Sequence, residues 1–267
     1  MSELGFFTDT TVCIGCKACE VACKQWNDLP AADFEFRKLG SYDNTGSLGA
    51  ATWRHVRFVE DVPAVEDMPD LVEVAGGQRW VFMSDVCKHC TNAGCLDACP
   101  TGAIIRTEFD TVVIQPDVCN GCGYCVPSCP FGVVDRDHDD GRAAKCTLCY
   151  DRLRDGLEPS CAKACPTDSI QFGPHEELRE RAERRVAELH ERGIDGAYLY
   201  GADDDVAGGL GAFFLLTEPP ETFGLPAAAD SPIQENAPVA TAVGLGAALL
   251  AAAGTALSFA VAHRRRR

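Results

Sequence analysis

Sixteen cysteines fall into four short groups, and no other feature limits so sharply what this chain can fold into. The third group is the most regular: Cys119, Cys122, Cys125 and Cys129 read C-x2-C-x2-C-x3-C and are closed by Pro130. Three thiolates at that spacing converge on one cubane iron-sulfur cluster, while the fourth, carried away by the proline turn, ligates a second cluster. Gly121 and Gly123 have no Cβ, so the backbone can approach the cluster sulfides closely. A chain of 267 residues that is 46% hydrophobic has enough apolar material to build a core around such loops.

The other groups vary this theme. Cys13, Cys16, Cys19 and Cys23 keep the same gaps but are followed by Lys24 instead of proline. Cys87, Cys90, Cys95 and Cys99, with Pro100, widen the middle gap to four residues; Cys146, Cys149, Cys161 and Cys165, with Pro166, widen it to eleven. Taken alone, the fourth group could hold zinc, but its three companions favour iron-sulfur. Secreted disulfide scaffolds are usually shorter and lack such fixed bursts.

Four 4Fe-4S clusters would use every cysteine. Each two-cluster unit takes two groups and exchanges their last thiolates, and chain distance pairs the second group with the third, leaving the first for the fourth. The expected ligand sets are therefore Cys13, Cys16, Cys19 and Cys165 for cluster 1; Cys146, Cys149, Cys161 and Cys23 for cluster 2; Cys87, Cys90, Cys95 and Cys129 for cluster 3; and Cys119, Cys122, Cys125 and Cys99 for cluster 4. This makes an α+β chain of two nested, ferredoxin-like two-cluster domains. The outer domain would comprise 1–24 and 140–173, the inner one 86–139.

Between them, 25–85 reads as a β-rich insertion, scaffold rather than site. Residues 53–59 and 71–74 are strand-like, and Gly76-Gly77 marks a hairpin into 79–82. A second hairpin is expected from 104–108 and 111–115. Beyond, 174–217 reads as a helical and irregular extension. It contains an amphipathic helix over 176–191 with Leu178, Ala182, Val186 and Leu189 on one face, Pro174 near its start and Gly193 at its end. The alternating Glu and Arg of 179–185 suit a solvated face.

Pro219, Pro220, Pro226 and Pro232 make 218–236 a stiff, extended tether, which the spacing continues to Pro238. The uncharged segment 237–262 would extend about 39 Å as a helix, enough for a single transmembrane span. Its Ala240, Gly244, Ala248, Ala252, Ala256 and Ala260 allow close helix contact. The basic tail 263–267 puts that end in the cytoplasm and the cluster body outside. No signal peptide is read before Cys13, and clusters must be assembled before meeting an oxidising compartment. Export of the folded protein with a partner bearing a twin-Arg signal meets both conditions. The rival topology is a tail anchor with the clusters facing the cytoplasm.

The formal net charge of -16 argues against a nucleic-acid partner. There is no glycine-rich phosphate loop and no H-E-x-x-H, and every thiol is spoken for, so no catalytic residues are assigned. His89, between Cys87 and Cys90, reads as a packing residue. Lys24, Lys88 and Lys145, each beside a ligand cysteine, would raise the potential of the nearest cluster. The competing class is a non-redox interaction module stapled by zinc.

The four groups and their gaps, Asp9, Cys23-Lys24-Gln25-Trp26-Asn27-Asp28 and Lys145-Cys146-Thr147-Leu148-Cys149-Tyr150-Asp151-Arg152 together resemble the four-cluster iron-sulfur subunits of molybdopterin oxidoreductases. Within them, Trp26-Asn27-Asp28, Tyr198-Leu199-Tyr200-Gly201, Pro219-Pro220-Glu221 and the single C-terminal span are most similar to the beta subunit of membrane-bound formate dehydrogenase. The resemblance covers essentially the whole chain. It implies a non-catalytic electron-transfer subunit that joins a molybdenum or tungsten catalytic subunit to a membrane cytochrome b and the quinone pool in a bacterial cell membrane. The outer cluster pair would face the catalytic subunit and the inner pair the membrane. Relatives in nitrate reduction lack one cysteine of the fourth group; with all four present, four cubanes and no three-iron cluster are expected. The same wire serving another molybdopterin reductase, or a hydrogenase, is the alternative.

Overall fold

The computed structural model describes residues 3–31, 41–63, 73–74 and 78–265. In sequence order the elements are β1 (Leu4–Asp9), α1 (Ala18–Trp26), β2 (Arg54–Pro63), β3 (Glu73–Val74), β4 (Gln78–Val86), α2 (Gly94–Asp97), β5 (Ile104–Arg106), β6 (Val112–Ile114), β7 (Asp135–Arg136), β8 (Ala143–Ala144), α3 (Tyr150–Arg154), α4 (Ser160–Lys163), β9 (Ile170–Pro174), α5 (His175–Glu191), β10 (Tyr198–Tyr200), β11 (Ala212–Leu216) and α6 (Pro232–Arg265).

The largest sheet has the order β10-β11-β1-β9. β1 pairs antiparallel with β9, Leu4 opposite Pro174, and parallel with β11, Phe6 opposite Ala212. Phe6, Phe7, Phe213 and Phe214 are all fully buried, so both faces of the central strands are covered and no polar-apolar alternation marks them. The N-terminal segment and the run Ala212–Leu216 are thus sheet strands, where the sequence pattern marks no strand in the first and places the second in a helical and irregular extension. Because β1 leads into the first cysteine group and β9 follows the fourth, their pairing brings those two groups to the same end of the sheet.

The insertion forms a second sheet, β2-β4-β3. β3 and β4 pair as the expected hairpin, while Leu71, Val72, Gly76 and Gly77 lie outside the described residues. Phe58 and Phe82 meet edge to face at 4.9 Å and abut Gly15 of the first cysteine loop, so this sheet is packed directly against a ligand loop. The hairpin joining the second and third groups is β5-β6, with Ile104 opposite Ile114.

Helix α5 buries Leu178, Ala182 and Leu189 against the large sheet, with Val186 partly covered. Its charged face is not wholly solvated: Arg185 Nε donates to Asp9 Oδ2 at 3.0 Å, and Asp9 is only 3% exposed. The proline-rich tether is also revised. Residues 218–231 fold back onto the body, with Phe223 and Leu225 buried, a 3-10 turn at Pro220–Phe223, and Tyr200 Oη donating to the Pro226 carbonyl at 2.6 Å. Apolar side chains between the prolines give this stretch something to bury, which an extended tether would leave in water.

The last helix starts at Pro232, earlier than residue 237, because proline needs no N–H partner in the first helical turn. Pro238 is accommodated inside the helix. Among the described residues this is the one helix long and apolar enough to cross a membrane, by length and composition. Its base is fastened to α2: Ser231 Oγ and Gln234 Nε2 both donate to Asp97 Oδ2, at 2.8 and 2.9 Å.

Candidate metal centres

Each cysteine group begins with the same backbone turn. Gly15, His89, Gly121 and Leu148, the residue before the second cysteine in each group, all have positive φ, between 46° and 74°. Only two of the four are glycine, so two loops hold an L side chain in a conformation that costs roughly 1–2 kcal/mol. Gly121 has a second constraint: a Cβ there would stand 2.7 Å from the Gly141 carbonyl oxygen. The missing Cβ therefore accommodates the neighbouring loop as well as the turn.

None of the sixteen cysteines is joined in a disulfide. Cys13, Cys16, Cys19 and Cys165 line one cavity, and Cys87, Cys90, Cys95 and Cys129 line another. Cys23 has Cys161 and Cys149 as electrostatic neighbours, and Cys146 faces Cys23, Cys149 and Cys161. Cys125 faces Cys119, Cys122 and Cys99. The sets also lie within electrostatic reach of one another in series. Cys19 neighbours Cys161, Cys146 neighbours Cys87, and Cys95 neighbours Cys125.

Burial, reinforced by neighbouring sulfurs, pushes Cys19, Cys23 and Cys95 up to about 12 and Cys125 up to about 11. Such crowded thiols ionise only when a cation joins them, and an all-sulfur donor set suits iron-sulfur or zinc. Polar groups ring the sulfurs. Cys19 Sγ lies 3.2 Å from Ser84 Oγ, Leu148 N–H donates to Cys146 Sγ at 3.3 Å, and Ala143 N–H donates to Cys119 Sγ at 3.4 Å. Two of the proline-closed groups share a further feature: Thr101 Oγ1 is 3.6 Å from Cys99 Sγ, and Thr167 Oγ1 is 3.8 Å from Cys165 Sγ.

The lysines divide. Lys145 is buried and, among the described residues, without a carboxylate partner; its charge is favoured by Cys87, Cys95 and Cys146 although burial opposes it, and its ammonium donates to the carbonyls of Val112 and Cys146. Lys88 is buried too, but its ammonium is paired with Asp85, which cancels most of its field. Lys24 turns away to the Pro30 and Ala51 carbonyls at 3.1 and 2.6 Å. His89 accepts the Val112 N–H at Nδ1, 3.1 Å, and burial next to Lys145 and Arg106 keeps it neutral, as a packing residue should be.

Arg54, on the insertion that reads as scaffold, carries no mark of a site in the sequence, yet it is 1% exposed and reaches Cys161 Sγ at 3.2 Å. No local signal distinguishes it from Arg57 on the same strand, since the contact spans 107 positions.

Thiols in groups of four on repeated turns suit an iron-sulfur protein of the ferredoxin type, and similarity to known proteins selects that class over a zinc protein. Two family profiles, both described as 4Fe-4S dicluster domain, match residues 12–103 and 78–175. The formate dehydrogenase iron-sulfur subunit of Haemophilus influenzae is 42% identical over 228 residues, 84% of this chain and 69% of its own. The formate dehydrogenase-O iron-sulfur subunit of Escherichia coli K12 is 43% identical over 215 residues, 80% of this chain and 67% of its own. An anaerobic dimethyl sulfoxide reductase subunit from the same organism is 34% identical over 182 residues, 67% of this chain and 78% of its own. The chain belongs to the iron-sulfur subunits of formate dehydrogenases, whose work is electron transfer.

Proposed function

We propose that the chain carries electrons through four 4Fe-4S clusters, from a formate-oxidising molybdopterin catalytic subunit to a membrane cytochrome b partner and the quinone pool. It performs no substrate chemistry itself. The observation that carries this reading is the serial order of the thiol sets: of sixteen cysteines only Cys16 and Cys122 are exposed, one in the first set and one in the last. A wire needs that arrangement, with insulated middle sites and one accessible site at each end.

The ligand sets we assign are Cys13, Cys16, Cys19 and Cys165; Cys146, Cys149, Cys161 and Cys23; Cys87, Cys90, Cys95 and Cys129; and Cys119, Cys122, Cys125 and Cys99. A bound cluster supplies reversible one-electron exchange. The chain holds each group by four thiolates, leaves no fully exposed cysteine in the second and third sets, and sets the local field. Lys145 places positive charge at the joint between the second and third sets, while Ser84, Thr101 and Thr167 offer hydroxyls to sulfur. The outer domain, 1–24 with 140–173, and the inner, 86–139, are read as nested, which the β1-β9 pairing supports.

Membrane attachment is through α6 as a single pass, with partner and lipid contacts along its exposed length. Its basic end would face the bacterial cytoplasm and the clusters the outer side, after export with a twin-Arg partner. The bond from α6 to Asp97 favours the inner pair as the membrane-proximal one.

The test is anaerobic purification from native membranes in detergent, with identification of companion chains and of formate-dependent bleaching of the cluster absorption. Bleaching with a large molybdopterin subunit present establishes the reading. Reducible clusters indifferent to formate would move the wire to another reductase, a second reading favoured by the likeness to the dimethyl sulfoxide reductase subunit. Zinc without iron would end the redox reading.

A further inference from the structure

Arg54 is a permanent cation at a place where a charge is expensive to hold. The whole side chain is buried, and among the described residues no carboxylate pairs with it. What surrounds it instead is sulfur, hydroxyl and ring. Nη2 donates to Cys161 Sγ at 3.2 Å; Nη1 donates to the Ser84 carbonyl at 3.2 Å and approaches Ser84 Oγ at 3.4 Å; the guanidinium lies 4.8 Å from the centre of the Phe6 ring. Ser84 Oγ in turn lies 3.2 Å from Cys19 Sγ. One polar chain, Cys161 to Arg54 to Ser84 to Cys19, therefore joins the second thiol set to the first. The buried Nε has no hydrogen-bond partner among the described residues. It is a spare donor in a pocket where the charges that favour the guanidinium are those of Cys161, Cys19 and Cys146.

A buried guanidinium without a carboxylate is stable only if something else supplies the negative charge. Lys88 and Arg185 show the ordinary solution, each finding an aspartate. Resting on the four-cluster reading above, we propose that Arg54 is a positioning residue for electron transfer, whose charge and hydrogen bonds hold the first and second clusters at raised and linked potentials. Each cluster takes up one electron on reduction and gains one negative charge. The guanidinium between them stabilises the reduced form of both, and Ser84 relays a hydrogen bond to the first alone. The insertion thereby contributes to redox tuning, delivering a fixed cation into the outer pair from a strand that has no cysteine of its own.

The experiment is a mediated redox titration of the anaerobically isolated native complex, followed by electron paramagnetic resonance, with iron and sulfide counted for each variant. Arg54→Gln should move two of the four midpoint potentials to more negative values and leave the other two in place. Arg54→Lys, keeping the charge without the planar fork, should produce a smaller shift of the same two. Ser84→Ala should lower one potential only. If Arg54→Gln at full iron content leaves all four unchanged, or moves all four alike, the inference fails while the function stands. If Arg54→Gln loses iron, Ser84→Ala decides: a single shifted cluster supports the relay, and none overturns it. A wild-type complex with iron for fewer than four clusters overturns the four-cluster reading and the inference with it.

Discussion

At the residue scale, the four cysteine groups are one turn written in four different sequences. The left-handed residue is Gly in two loops, His89 and Leu148 in the others, so the geometry persists where the sequence preference for it does not. Gly121→Ala is expected to be damaging, since it adds the left-handed penalty of roughly 1–2 kcal/mol and forces the Gly141 carbonyl aside. Iron content should fall, with the third group's site the first to empty, whereas Gly156→Ala, at a positive φ with no atom near the new Cβ, should retain full iron.

A second local prediction concerns Asp43. Burial raises its carboxyl, but the bond to fully buried His55, the Gly46 N–H and the charges of His55 and Lys17 outweigh it and hold it at about 2. A depressed carboxyl contributes stability that is complete above its unfolded value near 4 and is lost as pH falls through the folded value of about 2. At neutral pH the contact is intact, so Asp43→Asn should speed amide exchange across residues 41–47 while cluster absorption is unchanged.

At the scale of elements, the hairpins and α5 were legible because short-range signals specify them: a Gly pair, alternating apolar residues, a 3.6-residue stripe. The strands β1 and β11 were not, since a strand buried on both faces has no alternation to read, although the unbroken run Ala212–Leu216 was the available clue. The proline count misled for 218–236 because it outweighed Phe223 and Leu225. Two contacts between elements can be tested. Arg185→Ala leaves the buried Asp9 carboxylate without its cation, four residues before Cys13, and should cost about 3 kcal/mol. The expected readout is a lower melting temperature with early iron loss from the first site, largely restored by Arg185→Lys. Asp97→Ala removes both bonds that fasten α6 to the body, for about 1–3 kcal/mol. Limited proteolysis in detergent should then cut between 226 and 232 while the clusters persist.

At the scale of the whole molecule, the cysteine spacing carried the candidate site because ligands to one metal group are mostly near neighbours in the chain. The field around the site was legible only where its source is a chain neighbour, as Lys145 is of Cys146; Arg54 reaches Cys161 across 107 positions, and Asp9 is paired with Arg185 across 176. Such contacts exist only once the two sheets have closed on the loops.

The place of β1 in its sheet has a consequence for how the protein is made. Both its neighbours lie late in the chain, at Ile170–Pro174 and Ala212–Leu216. At ribosomal rates of about 5–20 residues per second, the first strand waits roughly 10–40 s for its last partner to be synthesised. Until β9 is made, Cys13, Cys16, Cys19 and Cys23 hang on an unpaired segment, and from then until β11 is made on a strand paired along one edge alone. Metal loading of the earliest-made thiols is therefore an act of the nearly finished chain, and nascent chains ended before residue 212 should leave that group open to alkylation.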